Sequence, residues 1–214
     1  MTAFVIALVG AESTGKTALA AALQAALAGP QRSVACVHEY LRAFCDEHGR
    51  TPQQHEQALI AAEQTRRIAS AASTHDIVIA DTTALMTAVY SDIVFGDASL
   101  YAACEAAHAR CQLTLLTALD LPWQADGLQR DGPHVREPVD TRVRAALGRA
   151  RVGYAVVSGL GAARTAAALA SVQRALAPPA ADEPGSAHER SRWQWHCERC
   201  GDTACERHAL FPRG

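Results

Sequence analysis

Lysine is almost missing from this chain. Its 214 residues include one, Lys16, beside nineteen arginines. Alanine is abundant, the pattern expected of a GC-rich genome in which lysine drifted to arginine wherever chemistry allowed. Arginine does not replace lysine where a compact point charge must fit among phosphates, so the retained lysine marks such a place. Excess charge is lacking too. The formal net charge is -2, and no basic field invites nucleic acid or an anionic membrane. No apolar run approaches the roughly 20 residues of a membrane span. Met1-Thr2-Ala3-Phe4 carries no positive n-region and leads straight into a strand pattern, so no signal peptide is expected and a cytoplasmic location is. Seven cysteines are an odd number for a disulfide framework. Cys36, Cys45, Cys104 and Cys111 lie scattered in apolar segments and read as buried small hydrophobes.

What is present suffices for one α/β domain. The chain is 49% hydrophobic, enough for a core with a few dozen residues left over. Phe4 to Val9 is a continuous β-branched run, the mark of a buried parallel strand. Thr17 to Ala28 reads as a helix closed by Gly29-Pro30. Ser33 to His38 is a second strand, Leu41 to His48 a short helix, and Thr51-Pro52 opens a long helix to about Ser73. Asp76 to Ala80 is a third strand, followed by helices over Thr83 to Asp92 and Ala98 to Arg110. Gln112 to Ala118 is strand four. Leu121 to Pro138 is polar and holds glycine and proline, so it reads as a loop or lid. Val139 to Arg151, Gly153 to Ser158 and Ala162 to Leu176 complete the pattern as helix, strand and helix. Five strands alternating with helices predict a five-stranded parallel sheet with helices on both faces, whose ligands bind at the carboxyl ends of the strands.

Gly10-Ala11-Glu12-Ser13-Thr14-Gly15-Lys16-Thr17 follows the first strand. The spacing Gly-x4-Gly-Lys-Thr turns successive backbone N–H groups inward around phosphate oxygens. Lys16 is expected at the β and γ phosphates of a nucleoside triphosphate such as ATP, and Thr17 on Mg²⁺. The helix that starts there adds its positive end. These features predict the P-loop nucleoside-triphosphate hydrolase and kinase fold.

Three further places lie at strand ends. Asp81 closes the third strand and reads either as a carboxylate on the Mg²⁺ shell or as a helix N-cap. Glu39 follows the second strand. It reads as a group that takes a proton from, or aligns, an acceptor hydroxyl, and equally as a solvated first-turn glutamate. The segment 119–137 carries Trp123, Asp126, Arg130 and Arg136, which suit a lid over a transferring phosphoryl group or an ordinary polar loop.

Four stretches in this order resemble the ribosylnicotinamide kinase domain of NadR and its relatives. The loop, with the acidic Glu12 inside it, is similar to that family's Gly-x-Glu-Ser-[Ser/Thr]-Gly-Lys-[Ser/Thr]. Glu39-Tyr40-Leu41-Arg42-Ala43-Phe44 resembles its Glu-Tyr-x-Arg-x-Phe, and Asp81-Thr82-Thr83 its Asp-Thr-[Asp/Thr]. Trp123-Gln124-Ala125-Asp126-Gly127-Leu128 resembles its Trp-x-x-Asp-Gly-Leu-Arg. The resemblance covers about residues 3 to 177. It implies transfer of phosphate from ATP to the 5′-hydroxyl of nicotinamide riboside, a step of NAD salvage. Glu39, Tyr40, Arg42, Trp123 and Asp126 would then line the nucleoside site, and Glu39 or Asp81 would be the base. The chain departs from the family at Gln129, where the lid arginine belongs. That role falls to Arg130 or Arg136. The chain starts at the kinase-like segment, so no nucleotidyltransferase or DNA-binding activity is expected of it. A different class of reading is a regulatory nucleotide-binding module that acts through a partner, and a third is a kinase of another nucleoside.

Residues 178–192 read as a linker rich in proline and alanine. Residues 193–214 hold Trp193, Trp195 and the series Cys197-x2-Cys200-x4-Cys205-x2-His208. These four side chains suit a structural, fully ligated zinc knuckle, since so short a tail could not fold without a staple. Free thiols or a redox-active pair are the alternative. The tail is also a candidate surface for a protein partner or for self-association.

Overall fold

The structure, a computed structural model, describes residues 3–124 and 132–177. Five parallel strands form one sheet: β1 (Phe4–Val9), β2 (Val34–Val37), β3 (Ile77–Asp81), β4 (Leu113–Thr117) and β5 (Tyr154–Val157). Their order is β2-β3-β1-β4-β5, with Phe4 beside Ile77 and Ile6 beside Leu113. The chain runs outward from β1 to one edge and then crosses to the other. β1 therefore sits at the topological switch point, and the crevice beyond its carboxyl end is the place where such sheets take ligands.

The two faces follow from the alternation of side chains along each strand. From β1, Ile6 and Leu8 pack against Leu19 and Leu23 of α1 (Lys16–Leu27) and Val172 of α7 (Gly161–Leu176). Val9, of opposite parity, packs with Leu85 and Val89 of α4 (Ala84–Phe95) and with Val139 and Val143 of α6 (Arg136–Arg149). Val5 and Val78 face Ile68 of α3 (Gln57–Ala72). A strand buried on both faces needs apolar residues at every position, which is why the β1 and β3 sequences are continuous rather than alternating. The helices α2 (Tyr40–His48) and α5 (Tyr101–His108) complete the α/β layers.

Three expectations change. The helix after the lid segment begins earlier than Val139: a 3-10 turn at Pro133–Val135 leads into α6 at Arg136. Pro138 therefore lies inside the first turn of α6, where its missing N–H has no partner to lose. Arg136 belongs to this helix and not to a loop. Second, the long helix starts after Pro52. Gln53 and Glu56 form a capping box around the turn Gln54–Glu56, and Arg50 clamps both Glu56 oxygens at 2.7 and 2.8 Å. That clamp, with the Gln53 N–H, holds the Glu56 carboxyl down at about 2. Third, of the four scattered cysteines Cys45 and Cys104 are buried, whereas Cys36 and Cys111 are half-buried. The proposed linker 178–192 and tail 193–214, with Cys197, Cys200, Cys205 and His208, lie outside the described residues. No helix among the described residues is long and apolar enough to cross a membrane.

His108 is fully enclosed. One ring nitrogen lies 2.8 Å from the Thr83 hydroxyl and the other 3.0 Å from that of Thr114, tying α5 to the start of α4 and to β4. Burial pushes its pKa down to about 4, so it stays neutral in the fold. The unfolded chain binds a proton near pH 6.5 that the folded chain refuses. Stability is therefore complete above that pH and falls as the pH drops toward 4, by up to ~3 kcal/mol from this group. Urea denaturation between pH 7.5 and 4.5 should show this loss, and His108→Gln should flatten it.

Candidate active site

Local geometry makes the turn after β1 a cradle. Gly10 has φ +142°, and a Cβ there would lie 2.2 Å from Thr117 Oγ1. Gly15, at φ +74°, starts α1 without a side-chain cap, and the first turn of α1 holds no acidic residue. No side chain caps the start of α1, and the helix dipole favours an anion there. Lys16 Nζ donates to Gly10 O at 2.9 Å and Ala11 O at 2.8 Å, which holds the ammonium over the loop.

Neighbours fix the loop from three sides. Thr14 Oγ1 donates to Ala11 O at 2.7 Å and shares a 2.7 Å hydrogen bond with Thr117 of β4. Arg164 of α7, only 5% exposed, donates to Thr14 O at 2.7 Å and to Gly159 O at 3.0 Å. It also pairs with Asp120 at 2.8 Å. Burial alone would raise the Asp120 carboxyl, but the Gly159 N–H and Arg164 outweigh it and hold it below its usual range. Ser13 exchanges hydrogen bonds with the backbone of Gln124. Glu12 is buried; one oxygen accepts the Trp123 indole N–H at 2.8 Å, and the other has no partner.

A cavity of about 770 Å³ opens from the loop. Its lining includes Lys16, Thr17, Glu39, Arg42, Gln57, Thr82, Met86 and Tyr90. Glu39 is 21% exposed, with Arg42 Nε 3.4 Å from its carboxylate. Burial pushes the Glu39 carboxyl above the usual range. Lys16 and Arg42 pull it back in part, and Asp81 adds to the rise. Asp81 is buried at the end of β3, and its carboxylate takes no hydrogen bond or ion pair from the described residues. Thr82 follows with φ +84°, a strained angle for a β-branched residue, and its buried hydroxyl has no partner. Buried Gln64 joins the two strand ends: it accepts from Tyr40 N at 2.7 Å and donates to Thr82 O at 3.2 Å.

The structure thus brings together Gly10 through Thr17, Glu39, Arg42 and Asp81. Tyr40 and Trp123 lie elsewhere than expected for rings that stack on a base. Tyr40 sits under the Arg67 guanidinium, 4.3 Å from its ring centre, Trp123 caps Glu12, and neither lines the cavity. Arg136 is 8% exposed and donates to Leu121 O at 2.8 Å, while its Nε and Nη2 have no partner. Asp126 and Arg130 lie outside the described residues. Gln57, Gln64, Thr117 and Arg164 carry no motif. The two glutamines had one signal: they are polar residues at i and i+7 of the buried stripe Gln57, Ile60, Ala61, Gln64.

Among the described residues no three His, Cys, Asp or Glu side chains cluster as a metal cage. Mg²⁺ needs no such cage, because it keeps waters and phosphate oxygens and takes one or two protein oxygens. A buried, unpaired carboxylate at Asp81 and the cavity-lining hydroxyl of Thr17 fit that donor set.

Replacing Thr117 by Val keeps the shape and removes the hydroxyl that braces Thr14. Calorimetric titration with ATP should show affinity weakened about three- to tenfold, from the loss of a ~1 kcal/mol hydrogen bond. Unchanged affinity would mean that the brace does not position the loop.

Comparison with known proteins agrees with this geometry. A family model described as an AAA domain matches residues 5–164. No curated protein matches the chain by sequence. Among solved structures, a NadR protein in complex with NAD and AMP-PNP superposes with a TM-score of 0.64 at 18% identity, covering 81% of this chain and 49% of that one. A NadR protein in complex with NR gives 0.69 at 17% identity, covering 83% and 52%. A deoxyadenosine kinase from M. mycoides gives 0.57 at 12% identity, covering 80% and 100%. The chain spans about half the length of the NadR proteins it matches. At these identities the likeness establishes a common P-loop kinase fold. On the extent of the family match, the chain belongs to this AAA-domain family, with the fold of the NadR kinase domain.

Proposed function

We propose that the chain is an ATP-dependent nucleoside kinase that phosphorylates the 5′-hydroxyl of nicotinamide riboside, giving nicotinamide mononucleotide. The observation that carries the reading is the shared cavity. The only lysine and a carboxylate of raised pKa face one space, with room for an acceptor beyond them. The NR and AMP-PNP in the NadR structures and the four ordered motifs support the choice of acceptor and donor.

Phosphoryl transfer depends on position and on charge more than on a strong base. The loop N–H groups and the start of α1 hold the triphosphate. Lys16 moves from Gly10 O and Ala11 O to the β and γ oxygens. Thr17 and Asp81 would hold Mg²⁺, which neutralises charge on the bridging phosphates when bound. Glu39 aligns the acceptor hydroxyl and accepts its proton; its raised pKa makes it the better base. Arg42 keeps Glu39 in place from 3.4 Å. Arg130 or Arg136 would supply positive charge for the transferring group; Arg136 is buried, with Nε and Nη2 unpartnered.

An assay of the purified chain with Mg·ATP and a nucleoside panel tests the reading. Nicotinamide riboside should be turned over; turnover of no nucleoside at all would sink it. Lys16→Ala should lower kcat by at least about a thousandfold with the fold retained. In kcat/KM, activity should rise with pH through the raised Glu39 pKa, because only the ionised carboxylate accepts a proton. Glu39→Gln should lower the rate about a hundredfold or more and remove that acid limb.

A further inference from the structure

Tyr40 stands next to Glu39 in sequence, yet it does not line the cavity. Two groups of α3 hold it. Gln64 Oε1 accepts from Tyr40 N at 2.7 Å, and Arg67, one turn further along α3, lies over the Tyr40 ring, 4.3 Å from its centre. Glu39, at the N-cap of α2, makes no side-chain cap bond. Gln64 therefore caps the start of α2 from another helix. The other end of the same amide donates to Thr82 O at 3.2 Å. Thr82 follows Asp81 and has φ +84°, so this bond holds the strained turn at the end of β3. One buried amide, 2% exposed, thus tethers the residue after Glu39 to the residue after Asp81. A buried amide with both ends used is confined to one place, and it confines the backbone groups that it joins.

We infer that Gln64 is a positioning residue for phosphoryl transfer: by fixing the start of α2 against the end of β3, it sets where the Glu39 carboxylate stands relative to Asp81. The inference rests on the kinase reading for the role of Glu39. Arg42, whose Nε lies 3.4 Å from that carboxylate, belongs to the same helix and moves with it. It steadies the side chain but does not tie it to the sheet. Gln64 supplies a tie between the two elements. Transfer depends on placement, and a misplacement of about 1 Å costs up to about a hundredfold in rate. Gln64 does not line the cavity, so its effect on the reaction passes through Glu39. Tyr40, on this reading, is an anchor for its neighbour and not a platform for a base.

The test uses the full chain with Gln64→Met, which keeps the length and removes both bonds, alone and combined with Glu39→Gln. Thermal unfolding and ATP calorimetry come first. They should show a folded protein with ATP affinity within about twofold of wild type, because other residues brace the phosphate loop. Gln64→Met should lower kcat with nicotinamide riboside about ten- to a hundredfold. In the Glu39→Gln background it should lower kcat by less than about twofold, since residues that act as a unit are not additive. NMR titration of the Glu39 side chain gives a reading independent of turnover. Burial raises its pKa, and Lys16, Arg42 and Asp81 act on it by charge. Gln64 carries no charge, so a fall toward the ordinary carboxylate value in Gln64→Met reports a carboxylate that has moved into water. Gln64→Asn, whose amide is one methylene short of both partners, is read in the same way where Gln64→Met does not fold. Wild-type kcat in the variant, an equal loss in the Glu39→Gln background, or an unmoved Glu39 titration would overturn the inference. No turnover by wild type would overturn the kinase reading instead, and the Glu39 titration then decides the inference alone.

Discussion

The hydrogen bond from Arg164 to the carbonyl of Thr14 joins the last helix to the phosphate loop, and much of the site depends on it. The loop must keep its N–H groups free for an anion, so it cannot tie them into a ladder of its own. Its carbonyls and side chains have to be held instead. Arg164 does this from one side and Thr117 from below, while Ser13 and Glu12 are tied to Gln124 and Trp123. Burying a guanidinium is expensive in desolvation and acceptable only where carbonyls and a carboxylate receive it. Thr14 O, Gly159 O and Asp120 supply these.

The acceptor side has a matching device. Glu39 stands at the start of α2 and Asp81 at the end of β3, and Gln64 joins the residues that follow them, accepting from Tyr40 N and donating to Thr82 O. Around this bridge the ordinary rules of folding are broken several times within a small region. Thr82 is left-handed, the Thr82 hydroxyl and one Glu12 oxygen are buried without partners, and Glu39 is held against its preferred charge state. Such costs persist where the rest of the fold over-determines them, and they gather at sites of chemistry. The apolar packing of β1 and β3 between two helix layers supplies that surplus of stability.

The helix α6 shows how a local rule misleads. Pro138 reads as a breaker when helix ends are sought by composition, yet at the third position of α6 it costs nothing. Arg136 consequently stands on a rigid element, buried, rather than on a flexible lid. The ring of Trp123 teaches the same lesson. Its indole N–H found a buried carboxylate 111 residues away in sequence, and no periodicity records such a pairing.

The order of strands and helices and the phosphate loop could be read from the chain alone. Both are local: a doubly buried strand demands an unbroken apolar run, and a loop that wraps phosphate demands glycine, lysine and threonine at set spacing. Glu39 and Asp81 could be placed at strand ends for the same reason. What surrounds them was decided by tertiary structure. Arg164 meets Thr14 across 150 residues and Thr117 meets Thr14 across 103. Gln57 and Gln64 share one buried stripe of α3, yet Gln64 is bonded to two backbone groups while Gln57 lines the cavity. Sequence spacing specifies which residues share a face. Only the packing of that face against the sheet settles which polar groups are paired within the protein and which are left for a ligand.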